Sequence, residues 1–344
     1  MSAPRGRAPR LRVLIVTALG LALAVYLLRH IGFRAVFAAA ASVGWGGFAL
    51  LCGYAFVVFG ILGPAWYVLM PRANRLSPLV FICARMVRDA ASEALPFSQI
   101  GGMILGVRAA SVLGVPRRLA VASAIVDVTT ELLGQLLYMA VGLFILNARA
   151  AQMPLAHALV RTSLIGLAAS TLAGVLFLAL QRQGLSWLSD RLALRMLPGS
   201  AGYAAAIATL LREMYRAPLR IVLSVLLHFC GWIAGAVGTW IAFRLIGVHV
   251  DVAAVIAIES LVYAARSLTF FIPNALGVQE AAYALLAPLF GVGKEFALAI
   301  SLLKRARDIA IGIPILLAWQ MVEGHRALAL QRRGAEHKRL DTEG

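Results

Sequence analysis

Six apolar stretches, at about 11–28, 45–69, 119–147, 161–181, 219–245 and 296–320, do most to fix what this chain can fold into. A helix of about 18 to 20 apolar residues crosses the hydrocarbon of a bilayer. In lipid only a helix or a closed barrel satisfies its own backbone. The chain is 61% hydrophobic, with a mean hydropathy of +0.86, well outside soluble composition. The expectation is an all-α polytopic membrane protein, with one membrane domain over residues 1–323 and a charged tail over 324–344. Arg5, Arg7, Arg10 and Arg12 precede the first apolar run like a signal peptide, but the run continues through Leu28 and further spans follow. It therefore reads as a retained first span.

The net charge of +17 is nearly all arginine, with lysine only at Lys294, Lys304 and Lys338. On a membrane protein such charge marks cytoplasmic loops and contact with an anionic lipid surface, not nucleic acid. Arg72, Arg75, Arg117, Arg118, the linker 182–218 and the tail after His325 then lie on the cytoplasmic side, as do both termini. The linker carries Trp187, Leu188, Leu192, Leu194 and Met196 among arginines, so an amphipathic helix on the membrane surface is expected. Cys52, Cys83 and Cys230 fall in membrane segments without metal-ligand spacing and read as small buried hydrophobes.

Two stretches repeat one another. Leu95-Pro96, Gly114-Val115, Ala120 and Ala122 recur 177 positions later as Ile272-Pro273, Gly291-Val292, Ala297 and Ala299, and Glu131 meets Asp308 at the same offset. Each copy (about 78–147 and 252–320) is a helical pair broken at a proline, a Gly-Val turn and a long helix bearing ionisable residues. Three spans separate the broken pairs, so they enter from opposite faces, which makes an inverted-repeat helical bundle. Whether each pair is a re-entrant hairpin or two full spans stays open. Duplicated broken helices of this kind mark transport sites.

Ionisable groups within spans are costly and point to function. Arg85, Asp89 and Glu93 share a helix face, with Arg88 beside it; Asp127, Glu131 and Gln135 repeat that spacing. Glu259 and Arg266 stand two turns apart with Tyr263 between, and Lys304 and Asp308 one turn apart beside Arg305 and Arg307. The break sequences Pro96-Phe97-Ser98-Gln99-Ile100-Gly101-Gly102 and Pro273-Asn274-Ala275-Leu276-Gly277-Val278-Gln279-Glu280 free backbone groups that lipid cannot satisfy. Helix N-termini just after the prolines suit an anionic group, to which Arg108 would add charge. The bland alternatives are internal ion pairs and simple kinks. No catalytic constellation, nucleotide motif or metal set is present. His228 lies in a span without a partner at helical spacing. An enzyme is therefore not expected, and no cofactor.

The run from Arg85 to Gly102, the pair Glu259-Ser260-Leu261 with Ala275 to Glu280, and Leu303 to Asp308 with Leu316-Leu317-Ala318-Trp319-Gln320 resemble the integral membrane proteins associated with hopanoid biosynthesis. That group lies within the lysylphosphatidylglycerol synthase membrane-domain, flippase-like family. Asn274 stands where a small residue, usually glycine, is expected. The resemblance implies a lipid-translocating domain of the bacterial inner membrane that moves a hopanoid or phospholipid, alongside hopanoid-pathway enzymes. The soluble aminoacyl-transferase domain of the full synthases has no counterpart here, so lysyl transfer is not implied. On this reading Arg85, Arg88 and Arg266 bind a head group, Asp89, Glu93, Gln99, Gly101, Gly102, Asn274, Gly277, Gln279 and Glu280 line its path, and Asp127, Glu131, Glu259, Lys304, Arg307 and Asp308 supply counter-charges or coupling. The other readings are a proton-coupled transporter of a small polar solute, or a non-transporting scaffold for lipid-modifying enzymes.

Overall fold

The computed structural model describes residues 38, 41–71, 76–94, 98–150, 164–165, 167–168, 171–172, 174–175, 200–268 and 277–343. The first apolar run, Pro96, Pro273, Asn274 and the linker before residue 200 lie outside them. Among the described residues the regular structure is helical throughout. In chain order the helices are α1 (Gly44–Tyr67), α2 (Pro78–Ala94), α3 (Ser98–Val112), α4 (Arg117–Ala150), α5 (Ser200–Tyr215), α6 (Pro218–Leu245), α7 (Val252–Leu268), α8 (Val278–Leu286) and α9 (Lys294–Glu343). A 3-10 turn, Ala287–Phe290, follows α8.

Among the described residues α1, α4 and α6 are long and apolar enough to cross a membrane. Charges along α9 set it apart from those three, although among the described helices it is the longest. Phe56, Leu226 and Phe144 turn outward, as a lipid-facing surface requires. Cys83 and Cys230 turn outward with them, so the expectation that they are buried is corrected: their helix faces point away from the bundle.

The repeat is structural and inverted. Shifting by 177 carries α1 onto α6, α2 onto α7, α3 onto α8 with its 3-10 turn, and the start of α4, Arg117, onto the start of α9, Lys294. The turns match bond for bond. Val115 N–H donates to Ala110 O at 3.0 Å, and Val292 N–H to Ala287 O at 3.1 Å. Gly114 (φ 109°) and Gly291 (φ 77°) supply the left-handed residue that closes each turn. Inversion follows from register. Gly47 faces Leu245, Tyr54 faces Gly238, Gly231 faces Leu62, and Ser224 Oγ donates to Ala65 O, so α1 and α6 run antiparallel. Gln135 Nε2 donates to Ser267 Oγ at 2.7 Å, and the contact related to it by the repeat, Gly312 against Ala90, is also present. The sequence signal began at Leu95; the repeat also takes in α1 and α6, which share no proline or charge to betray it.

Small residues carry the interhelical packing, as expected where lipid removes the hydrophobic drive between helices. Ala84, Ala91, Ala109, Ala110, Ala120 and Ala122 are buried where α2, α3 and α4 meet. Gly102 shows the tolerance: a Cβ there would stand 2.6 Å from Arg88 O and closer still to Ser92 Oγ. The second half of the expected surface linker is α5. It packs Tyr203, Ile207, Leu211 and Met214 against the bundle, with Arg118 over the Tyr203 ring at 5.5 Å.

The broken pairs are re-entrant hairpins. α4 runs antiparallel to α7, with Arg149 on Asp251, Gly142 on Ser260 and Gln135 on Ser267. The first half of α4 instead faces α2, through Asp127 and Glu131. One helix thus spans the bundle, and the two hairpins each cover half of it from opposite ends. Glu93, in the last turn of α2, meets Arg266, in the last turn of α7, at 3.1 Å. Two full-length antiparallel spans would hold those ends about 30 Å apart, on opposite faces.

Candidate functional site

Arg85, Arg88 and Asp89 lie on α2, and Asp127 and Glu131 lie one turn apart on α4. Arg88 donates to Asp127 Oδ2 at 2.6 Å and to Glu131 Oε2. Arg85 donates to Glu131 Oε1 at 2.5 Å, to Asp127 Oδ2 at 3.5 Å and to Asp89 Oδ2 at 2.8 Å. Both arginines are almost wholly buried and Asp127 completely so. Burying charge is tolerated only when it is paired and hydrogen-bonded on most sides, and these guanidinium forks are engaged by carboxylates. A head group reaching Arg85 or Arg88 has to displace them. His228 on α6 completes the cluster, its Nε2 3.0 Å from Asp127 Oδ1.

A second cluster joins α7, α8 and α9. Lys304 donates to Glu259 Oε2 at 2.5 Å and to Tyr283 Oη at 2.8 Å. Tyr283 donates to Glu259 Oε1. The rings of Tyr263 and Tyr283 flank the ammonium at 5.5 and 5.4 Å, a cation–π setting. Glu259 and Arg266, expected as one charge pair, are therefore separated: Glu259 belongs to Lys304, and Arg266 to Glu93. Lys304 and Asp308 are separated likewise, since Asp308 pairs with Arg307 at 2.7 Å.

The second helix N-terminus is served from within the chain. Glu280 accepts from Gly277 N–H at 2.9 Å, and Arg305 holds the same carboxylate at 2.6 Å. Gln279 donates to Ser301, which donates to Glu280. An incoming anion at the start of α8 would compete with Glu280. Gln99 and Gly101 sit in the first turn of α3, and Gly102 holds that helix close to α2. Arg108 does not join this group. It stands near the far end of α3 and pairs with Glu323 of α9 at 2.7 Å.

Accessibility grades these groups. Asp127 and the Glu259–Lys304 pair are buried, Asp89 (27% exposed) and Glu131 (17%) lie at the edge of the first cluster, and the junction of the hairpin ends is open. There Glu93 is 36% exposed, Asp308 31% and Arg266 19%, next to Gln135 and Ser267. The junction forms a polar seam between two hairpins of opposite entry, wide enough for its side chains to meet solvent or a ligand. Among the described residues no group of His, Cys, Asp and Glu could hold a metal.

Among the described residues three buried polar atoms have no hydrogen-bond partner: His228 Nδ1, Trp232 Nε1 and Tyr138 Oη. They follow one another along the parallel α4–α6 interface, where Tyr138 stacks on Trp232, and Trp232 meets Tyr263 edge-on at 4.6 Å. His228, Tyr138, Trp232 and Tyr283 were not legible as site residues. Their partners lie on other helices, at separations such as 101 and 24 residues that follow no helical period. An isolated histidine in a long apolar span was the one signal present.

The family model described as the lysylphosphatidylglycerol synthase TM region matches residues 11–315. No curated protein and no solved structure matches the chain.

Proposed function

The chain belongs to the lysylphosphatidylglycerol synthase transmembrane family, and from that premise we propose that it moves a lipid between leaflets without ATP. The head group crosses along the seam where the hairpin ends meet, and the tails stay in the bilayer. The observation that carries this reading is the Glu93–Arg266 contact at 3.1 Å. There, among the described residues, half-length helices of the two halves touch through charged and partly accessible side chains. An inverted repeat with broken helices that meet at its centre is a recurrent arrangement for alternating access.

Arg266 is the head-group cation on this reading, with Arg307 beside it and Glu93 and Asp308 as counter-charges. Arg85 and Arg88 act from behind, setting the position of α2 on α4. The cargo is a hopanoid or a phospholipid, as the sequence resemblance implies, and hopanoid-pathway enzymes are the expected partners. The location is the bacterial inner membrane, with both termini cytoplasmic and no chemistry performed on the cargo.

The test is reconstitution into liposomes carrying a fluorescent hopanoid or phospholipid in one leaflet. Transfer should exceed that of empty liposomes, and should fall at least tenfold in Arg266→Gln with unchanged protein yield. If no candidate lipid crosses faster than in empty liposomes, with and without a proton gradient, lipid transfer is wrong. A polar-solute transporter or a scaffold then becomes the better description.

A further inference from the structure

Among the described residues the interior charges do not balance by formal count. Glu259 pairs with Lys304, Glu280 with Arg305, Glu93 with Arg266 and Asp308 with Arg307. The remaining cluster sets two arginines, Arg85 and Arg88, against three carboxylates, Asp89, Asp127 and Glu131. By formal count it holds one carboxylate more than its arginines match; Arg85, Arg88 and Asp127 are buried, while Asp89 and Glu131 at its edge are 27% and 17% exposed. Among the described residues His228 also touches this cluster, wholly buried and in contact with Asp127.

Asp127 accepts from Arg88 and Arg85 through Oδ2. With Asp127 as a carboxylate, His228 Nε2, 3.0 Å from Oδ1, is the donor and Nδ1 keeps a lone pair. Among the described residues Nδ1 has no partner, and Trp232 Nε1 and Tyr138 Oη continue the line toward Tyr263 and the Lys304–Glu259 pair. Buried polar atoms set in a row suit bound water, and water can deliver a proton.

We propose that His228 is a proton-binding site that couples the two hairpins. A water-borne proton adds to the Nδ1 lone pair while Nε2–H stays on Asp127. The imidazolium competes with Arg88 and Arg85 for Asp127, which loosens α2 from α4. Loss of the same proton to water restores the tight cluster. The groups that bear on this ring are Asp127, Glu131 and Tyr138 on α4, with Arg85, Arg88 and Asp89 of α2 behind them. α7 adds Tyr263, Arg266 and Glu259, α9 adds Lys304, Arg307 and Asp308, and α1 adds Tyr54; Arg212 and Glu213 of α5 are exposed. The inference rests on the lipid-transfer reading for its purpose, but not for its proton.

The experiment uses the full chain in two assays. In detergent, without lipid transfer, a pH indicator measures proton uptake between about pH 8 and about pH 5. Wild type should bind one proton more than His228→Gln, whose amide can still reach Asp127. In liposomes, transfer by wild type should change severalfold over that range, and transfer by His228→Gln or by His228→Arg, which supplies a fixed positive charge, should be flat. A folded variant that keeps the wild-type pH profile and proton count overturns the proposal. If neither variant folds, the histidine-labelled wild type decides. A solvent-protected ring titrating between about pH 5 and about pH 8 supports the site, and its absence overturns it. One bound proton without any lipid transfer leaves the site standing and removes the lipid reading.

Discussion

Lys304 and Arg266 are both paired cations of the interior, yet their loss should have opposite consequences. Glu259, the partner of Lys304, is 1% exposed. Lys304→Met strands its carboxylate and should cost about 3–5 kcal/mol, largely recovered when Glu259→Gln is added. The Arg266–Glu93 pair is partly open, so Arg266→Gln should change stability by about 0–1 kcal/mol while abolishing transfer. Thermal unfolding of extracted protein, set beside the liposome assay, separates the two. Sequence spacing could not have made this distinction. Glu259 and Arg266 share a face of α7, but the register between helices gives each a different partner. Arg85 and Asp89, bonded within one helical turn at 2.8 Å, were legible because their separation is itself the contact geometry.

Each hairpin depends on how closely its arms approach. Gly102→Val must push α3 away from Arg88 O and should cost about 1–3 kcal/mol. Gly60→Ala, with nothing within 4 Å of the added carbon, should be neutral or stabilise by about 0.5–1 kcal/mol. Equal effects in an extracted-protein melt would contradict the packing. At the entry of α7, Asp251 accepts from Ala254 N–H at 2.9 Å and pairs with Arg149 at 2.8 Å. Desolvation raises its carboxyl, but that N–H and Arg149 outweigh it and hold the group below its usual range. A lowered folded value stabilises above the unfolded value of about 3.9 and is lost as pH falls below it. Asp251→Ala should therefore cost about 1 kcal/mol near neutrality, with the difference from wild type vanishing in acid. Pro96 and Pro273 lie outside the described residues, whereas the long spans α1, α4 and α6 were readable from apolar runs. Hairpin depth was not, because it depends on where Glu93 meets Arg266 across two halves of the chain.

At the scale of the molecule, Arg117 and Lys294 occupy equivalent positions in the inverted halves and should face opposite sides of the membrane. In a chain freed of Cys52, Cys83 and Cys230, single cysteines at these two positions should label from opposite sides; labelling from one side would refute the inversion. The halves also differ in sign. Asp127 corresponds to Lys304 and Asp89 to Arg266, an acid in the first copy standing where the second has a base. If two first halves were paired with each other, Glu93 would meet the Asp89 of its twin, and two second halves would set Arg266 against Phe270. Each half should therefore pair with the other in preference to its own twin. Cut between Ala150 and Ser200 and produced together with different tags, the two pieces should be recovered as a mixed couple and never as twins, so the duplication recorded in this chain can no longer be undone by separating it.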